Sequence, residues 1–298
     1  MGKAERIRRQ SAREKIAAQQ TAARRAERRR QALMAGGSVI AVIAIVVVFI
    51  VIKALGKPAE ASGAAALSGS VASEITSVPV STLNTVGQGD ALAFNPKPIV
   101  PITGGKPLTS GGKPEVLYIG AEYCPYCATE RWAMTVALSR FGTFSGLHFI
   151  HSDPTDIYPN TPTLTYYQST YTSKYVTFVP VETLTVSKQA LQTPTTAQDA
   201  LYKQYDSPPY VASSEKGAIP FVDFGNKYLL GGTQYNPQVL HGKTWRQIAN
   251  ALRDPSTAIA QGADGAANTF TATICKLTNN QPSSVCAMPV IQKIEGKL

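Results

Sequence analysis

The feature that most constrains this chain is a Cys-Pro-Tyr-Cys sequence, Cys124 to Cys127, set between a strand-length apolar run and a long helical segment. The run Val116-Leu117-Tyr118-Ile119 is bounded by Pro114 and Gly120, and the helical segment stops at Gly142. Leu147 to His151 then has the composition of a second strand. Strand, Cys-x-x-Cys, helix, strand is a βαβ unit that places two sulfurs at a helix N-terminus, and it makes the chain α/β. Unsatisfied N–H groups and about half a positive charge at that end stabilise a thiolate on the first cysteine. Pro125 is tolerated in the first turn, where its missing N–H would have had no partner. Glu122 works weakly against the thiolate.

Other uses of the pair fit less well. A structural bridge across two residues closes too small a loop to stabilise much. A zinc site needs a second close ligand pair, but Cys275 and Cys286 are separated by ten residues. A cysteine protease needs a paired histidine, and nothing ties His148, His151 or His241 to Cys124. Redox exchange is therefore expected, with Cys124 attacking and Cys127 resolving, and with Cys124–Cys127 as the disulfide of the oxidised form. No metal and no cofactor is expected.

A second motif follows about ninety residues on. Ile219-Pro220 opens a strand at Phe221, Gly225-Asn226 makes a turn, and Lys227 to Gly232 completes a hairpin. Thr244 with Gln247 forms a capping box at the head of a helix over 245–253, which Pro255 closes. This order resembles the thioredoxin fold, in which a cis-proline lies against the active cysteines; Pro220 holds the matching position. Tyr123 stands where thioredoxins carry tryptophan, and Pro125-Tyr126 is similar to glutaredoxins. The strings Val116 to Cys127, Glu130-Arg131-Trp132, Ser139 to Gly142, Phe178 to Glu182 and Ile219 to Tyr228 resemble the membrane-anchored thioredoxin-like family catalogued as domain of unknown function 929. The resemblance spans roughly residues 75–286 and implies a thioredoxin-like fold with an insertion. It also implies redox chemistry in which Ile219, Tyr123 and Tyr126 border the substrate.

The charge distribution sets where such chemistry would occur. Of a net charge of +10, residues 1–31 carry eleven basic and three acidic side chains, leaving the rest nearly neutral. Residues 32–52 hold no charge at all, and about 20 apolar residues span a bilayer core. The basic arm predicts a cytoplasmic N-terminus and a single transmembrane helix, with everything after Lys53 outside. A cleaved signal peptide is the alternative, although its apolar region would be too long. The arm either sets topology alone or also lies on anionic lipid. No aromatic residue interleaves its arginines, so no nucleic-acid partner is expected.

Residues 53–73 have the composition of a flexible linker, and 74–298 make up the extracytoplasmic domain. A strand-and-turn lead-in precedes Glu115. An insertion over about 152–217 contains a strand pair (176–181 and 182–187) and a helix at 196–205. Its tyrosines suit a partner-facing surface or a packed cap equally. A C-terminal extension over about 256–298 carries Cys275 and Cys286, expected to form a disulfide that acts as a staple or as a second redox relay. The function expected is a cell-membrane thiol–disulfide oxidoreductase acting in disulfide formation or isomerisation. Its partners would be extracytoplasmic protein thiols or disulfides and a membrane redox protein. The alternative is a non-enzymatic envelope scaffold.

Overall fold

The computed structural model describes residues 65–66, 69–97, 99–230 and 232–298. The expected basic arm, the apolar segment 32–52 and most of the linker lie outside the described residues. Among the described residues no helix is long and apolar enough to cross a membrane.

The centre is a mixed sheet. Strand β4 (Lys113–Gly120) is extended by β3 (Thr109–Ser110), which hairpins onto its start. β10 (Phe221–Phe224) runs antiparallel to β4, and β11 (Tyr228–Leu230) and β2 (Ile99–Pro101) follow it outward, each antiparallel to its neighbour. On the other side β9 (Thr177–Glu182) pairs with β4 in parallel, from Glu115↔Thr177 to Gly120↔Glu182. β4 is an unbroken apolar run from Val116 to Ile119 and is buried on both faces, as a central strand with a parallel neighbour must be.

The parallel partner of β4 is therefore not the expected strand near 147–151. That segment, β6 (His148–His151), pairs with β1 (Ala65–Ala66) and β7 (Pro162–Thr165) in a separate antiparallel sheet. A second ribbon joins β5 (Gly142–Ser145) to β8 (Thr170–Ser173). The excursion thus lies inside the βαβ crossover, over 142–173, and begins before the expected boundary at 152. A second excursion follows β9. It carries α5 (Thr196–Tyr205), started by a Thr195–Gln198 capping box, but no strand over 182–187; a single bridge, Leu184↔Ala190, stands there instead. Thr183 N–H closes the last rung of the parallel ladder on the Gly120 carbonyl, and Lys188 adopts positive φ in the turn that follows.

Helix α4 (Pro125–Ser139) follows β4 and is buried on nearly every face. The first excursion is a cap on it. Trp132 Nε1 donates to the Pro162 carbonyl, Thr163 Oγ1 to that of Ala128, and Tyr171 OH to that of Leu138. Tyr166 is buried among Tyr118, Phe144 and Phe178 rather than facing solvent.

The lead-in is largely helical rather than strand-and-turn. α1 (Gly69–Thr76), α2 (Val80–Val86) and α3 (Ala91–Phe94) precede β2, and Val71 and Ile75 of α1 are buried. β1 and the start of α1 at Gly69 thus fall inside the 53–73 segment expected as linker. α6 (Trp245–Ala251) carries the expected capping box and packs on α1. The helix beside α4 is instead α7 (Gly265–Leu277), continuous with a π-turn over Ala260–Asp264. Residues 256–298 are thus part of the core rather than an appendage. Gly265 allows the tight entry, because a Cβ there would come within 2.3 Å of the Gln88 carbonyl oxygen. Short helices α8 (Ser283–Cys286) and α9 (Pro289–Glu295) finish the chain, and a disulfide joins Cys275 to Cys286.

Candidate functional site

Cys124 is the N-cap of α4. Its Sγ accepts the Cys127 backbone N–H at 3.3 Å, in the place a serine or aspartate oxygen takes in an ordinary cap. The same sulfur donates to the Ile219 carbonyl at 3.6 Å, so the Ile219–Pro220 segment, whose peptide is cis, lies against the motif. Tyr123 and Tyr126 are half-buried beside it. Tyr123 is covered by Lys188, whose Nζ lies 5.2 Å from the ring centroid, and Tyr126 meets Tyr158 edge-on. The structure thus brings Cys124, Cys127, Ile219, Pro220, Tyr123 and Tyr126 together.

The two sulfurs are not bonded to each other here, so the structure describes the reduced pair. They are unequal. The hydrogen bond from Cys127, helped by backbone N–H groups at the helix start and by Arg131, holds the Cys124 thiol below the ordinary range despite burial. Burial, then the neighbouring Cys124, push Cys127 well above it. Cys124 is thus the more acidic of the two, and Cys127 the one that keeps its proton more firmly.

Beneath them lies an ion pair that motif reading does not single out. Arg131 and Glu182 are both wholly buried; Arg131 Nε and Nη2 reach the two Glu182 oxygens at 2.8 and 2.7 Å. Arg131 Nη2 also donates to the Ala121 carbonyl at 2.8 Å. The sequence signal is the spacing: Arg131 is one helical turn beyond Cys127. Glu182 had no such signal, because only the β4–β9 register places it there. Glu122 is buried as well, and desolvation raises its carboxyl above the ordinary range.

Cys275–Cys286 does not join this site. Arg140, the C-cap of α4, reaches Met288 beside that disulfide, and α4 is about 22 Å long. The relay reading of this pair has no geometry behind it. His151 stacks on Trp245 and His148 lies in β6, while His241 follows a short 3-10 turn at Pro237–Leu240. Among the described residues no group of three or more His, Cys, Asp or Glu side chains is placed to hold a metal ion.

A family model described as a domain of unknown function (DUF929) matches residues 102–276, more than half of the chain, and the chain belongs to that family. No curated protein and no solved structure matches it.

Proposed function

We propose that this chain is a membrane-anchored, extracytoplasmic thiol–disulfide oxidoreductase with a thioredoxin-like domain, and that it donates disulfides to protein thiols of the cell envelope. The reading rests on one observation above the rest: the inequality of two thiols at one helix start, with the Ile219 carbonyl against Cys124 Sγ. The charge-free segment 32–52 beside the basic arm supports the anchor and its orientation.

In the donor direction a substrate thiolate attacks Cys124 Sγ of the oxidised pair. The Cys124–Cys127 bond breaks, and Cys127 leaves with the electron pair and takes up a proton. A second substrate thiolate then attacks the substrate sulfur of the mixed disulfide, and Cys124 leaves as a thiolate. The substrate has lost two electrons and the protein has gained them. A stabilised Cys124 thiolate is the better leaving group, which favours this direction. Ile219 and the tyrosines Tyr123 and Tyr126 border the incoming chain.

Cys127→Ser removes the resolving thiol and should accumulate mixed disulfides through Cys124, recoverable from cells as reductant-sensitive adducts. Cys124→Ser should give few. Equal trapping by both variants, or none by either, favours the envelope scaffold.

A further inference from the structure

We propose that Arg131, held by Glu182, is the positioning residue that fixes a positive charge beneath the two sulfurs and so sets how strongly the pair oxidises its partners. This deepens the redox reading and rests on it.

The geometry starts with helix periodicity. Positions 124, 127 and 131 follow one face of α4, so the guanidinium lies one turn inward of Cys127. Its fork is clamped: Nε and Nη2 on Glu182 at the end of β9, and Nη2 again on the carbonyl of Ala121, the residue after β4. Nη1 is buried with no hydrogen-bond partner among the described residues. Three elements therefore hold one cation where water cannot screen it. The other titratable groups facing the thiols are phenols: Tyr118 of β4, Tyr123 before the helix, Tyr126 in its first turn and Tyr202 of α5. All four are held above their ordinary range, burial being the first cause, and so are neutral at physiological pH. Glu182 binds Arg131 directly, and Glu122 interacts with both members of that pair.

The field at Cys124 is therefore that of a cation partly offset by Glu182, with Glu122 beside the pair as a carboxyl that burial shifts towards its neutral form. Reduction of the pair adds two electrons, and of the two sulfurs so formed Cys124 is the one that gives up its proton more readily. A cation beneath that sulfur favours the reduced pair. Glu182→Gln keeps the shape of the clamp and removes the offset. Replacing both members by apolar residues (Arg131→Met with Glu182→Leu) removes the field without leaving an unpaired buried charge, an exchange that buried ion pairs often tolerate.

The test uses the full chain in detergent and two readouts: the equilibrium with oxidised and reduced glutathione, and the pH midpoint of Cys124 alkylation. Glu182→Gln should lower the midpoint and move the equilibrium about tenfold towards the dithiol, ~30 mV for a two-electron couple. The double replacement should move both readouts the opposite way by a similar factor. Arg131→Lys, which keeps charge but not the fork, should fall between wild type and the double replacement. Midpoints and equilibria within twofold of wild type in all variants, or shifts of one sign throughout, would overturn the proposal. Should Glu182→Gln not fold, the double replacement decides alone. Alkylation is read on the thiol itself and needs no substrate. If Cys127→Ser fails to trap while these shifts occur, the oxidoreductase reading falls and the field argument stands.

Discussion

Glu130 offers a direct measure of how much ionisable chemistry this fold keeps dry. It sits in α4 with no exposed surface; Oε1 accepts the Gln234 backbone N–H at 2.6 Å, and Oε2 has no partner among the described residues. Burial pushes its carboxyl from 4.5 to about 8. Between those values the folded protein holds a proton that the unfolded chain has released. Stability from this group is thus complete below about pH 4.5 and is lost as pH rises to about 8. A shift of about 3.5 units at ~1.4 kcal/mol each gives an upper bound of about 5 kcal/mol. Glu130→Gln keeps the acceptor for Gln234 and cannot ionise. In urea unfolding of the full chain the variant should match wild type near pH 4.5 and exceed it by about 3–5 kcal/mol at pH 8. Asp264 and Asp223, pushed up to about 8 and about 7 by burial, slope the same way and remain in both proteins. Parallel stability curves for variant and wild type from pH 4.5 to 8 would refute the reasoning.

Two further outcomes are expected. Replacing Cys275 and Cys286 by serine opens a loop of eleven residues' separation and should cost about 3 kcal/mol in chemical unfolding, with the Cys124 alkylation midpoint unchanged. A shifted midpoint would mean that the two pairs communicate. A reporter active only outside the cytoplasm, fused after Leu298, should be active, and activity of a cytoplasm-only reporter would overturn the assigned orientation.

The elements legible in the sequence were those whose signal is local. β4, the start of α4, the β10–β11 hairpin and the Thr244–Gln247 capping box follow from residues within a few positions of each other. The pairing of β4 was not legible, because its parallel neighbour is displaced by the ribbons of 142–173 and a nearer apolar run, 147–151, competes for the place. The lead-in carries a helical signal that Pro and Gly punctuation obscured: Val71 and Ile75 are four apart, and Leu83 and Val86 three apart, all buried. α7 reads as polar because of its threonines. Thr269, Thr271 and Thr273 each donate to the carbonyl four residues back, so the hydroxyls are satisfied within the helix and the segment can be buried whole. The site was half legible. The cysteines and Ile219-Pro220 announce themselves by motif, whereas Glu182 reaches Arg131 only through a register 51 residues away.

The burial of α4 ties these observations to the chemistry. A helix exposed on one side has a polar stripe; α4 has none and instead places Thr129, Glu130 and Arg131 inside the protein. Each has a stated partner: Thr129 gives its carbonyl to Tyr235, Glu130 takes the Gln234 N–H, and Arg131 binds Glu182. Such a helix needs cover on every side, and the ribbons of 142–173 provide it where the sheet and α7 do not. The same cap reaches the motif, since Asp153 N–H donates to the Tyr123 carbonyl at 2.8 Å and Tyr158 rests on Tyr126. The insertion thus serves two ends with one piece of chain. It covers α4 at Arg131, whose carbonyl Tyr166 OH reaches, and it lies against the motif at Tyr123 and Tyr126. Loosening the cap with Trp132→Phe, next to Arg131, should therefore raise the pH midpoint of Cys124 alkylation without touching either cysteine, and an unchanged midpoint in a folded variant would separate the cap from the thiols.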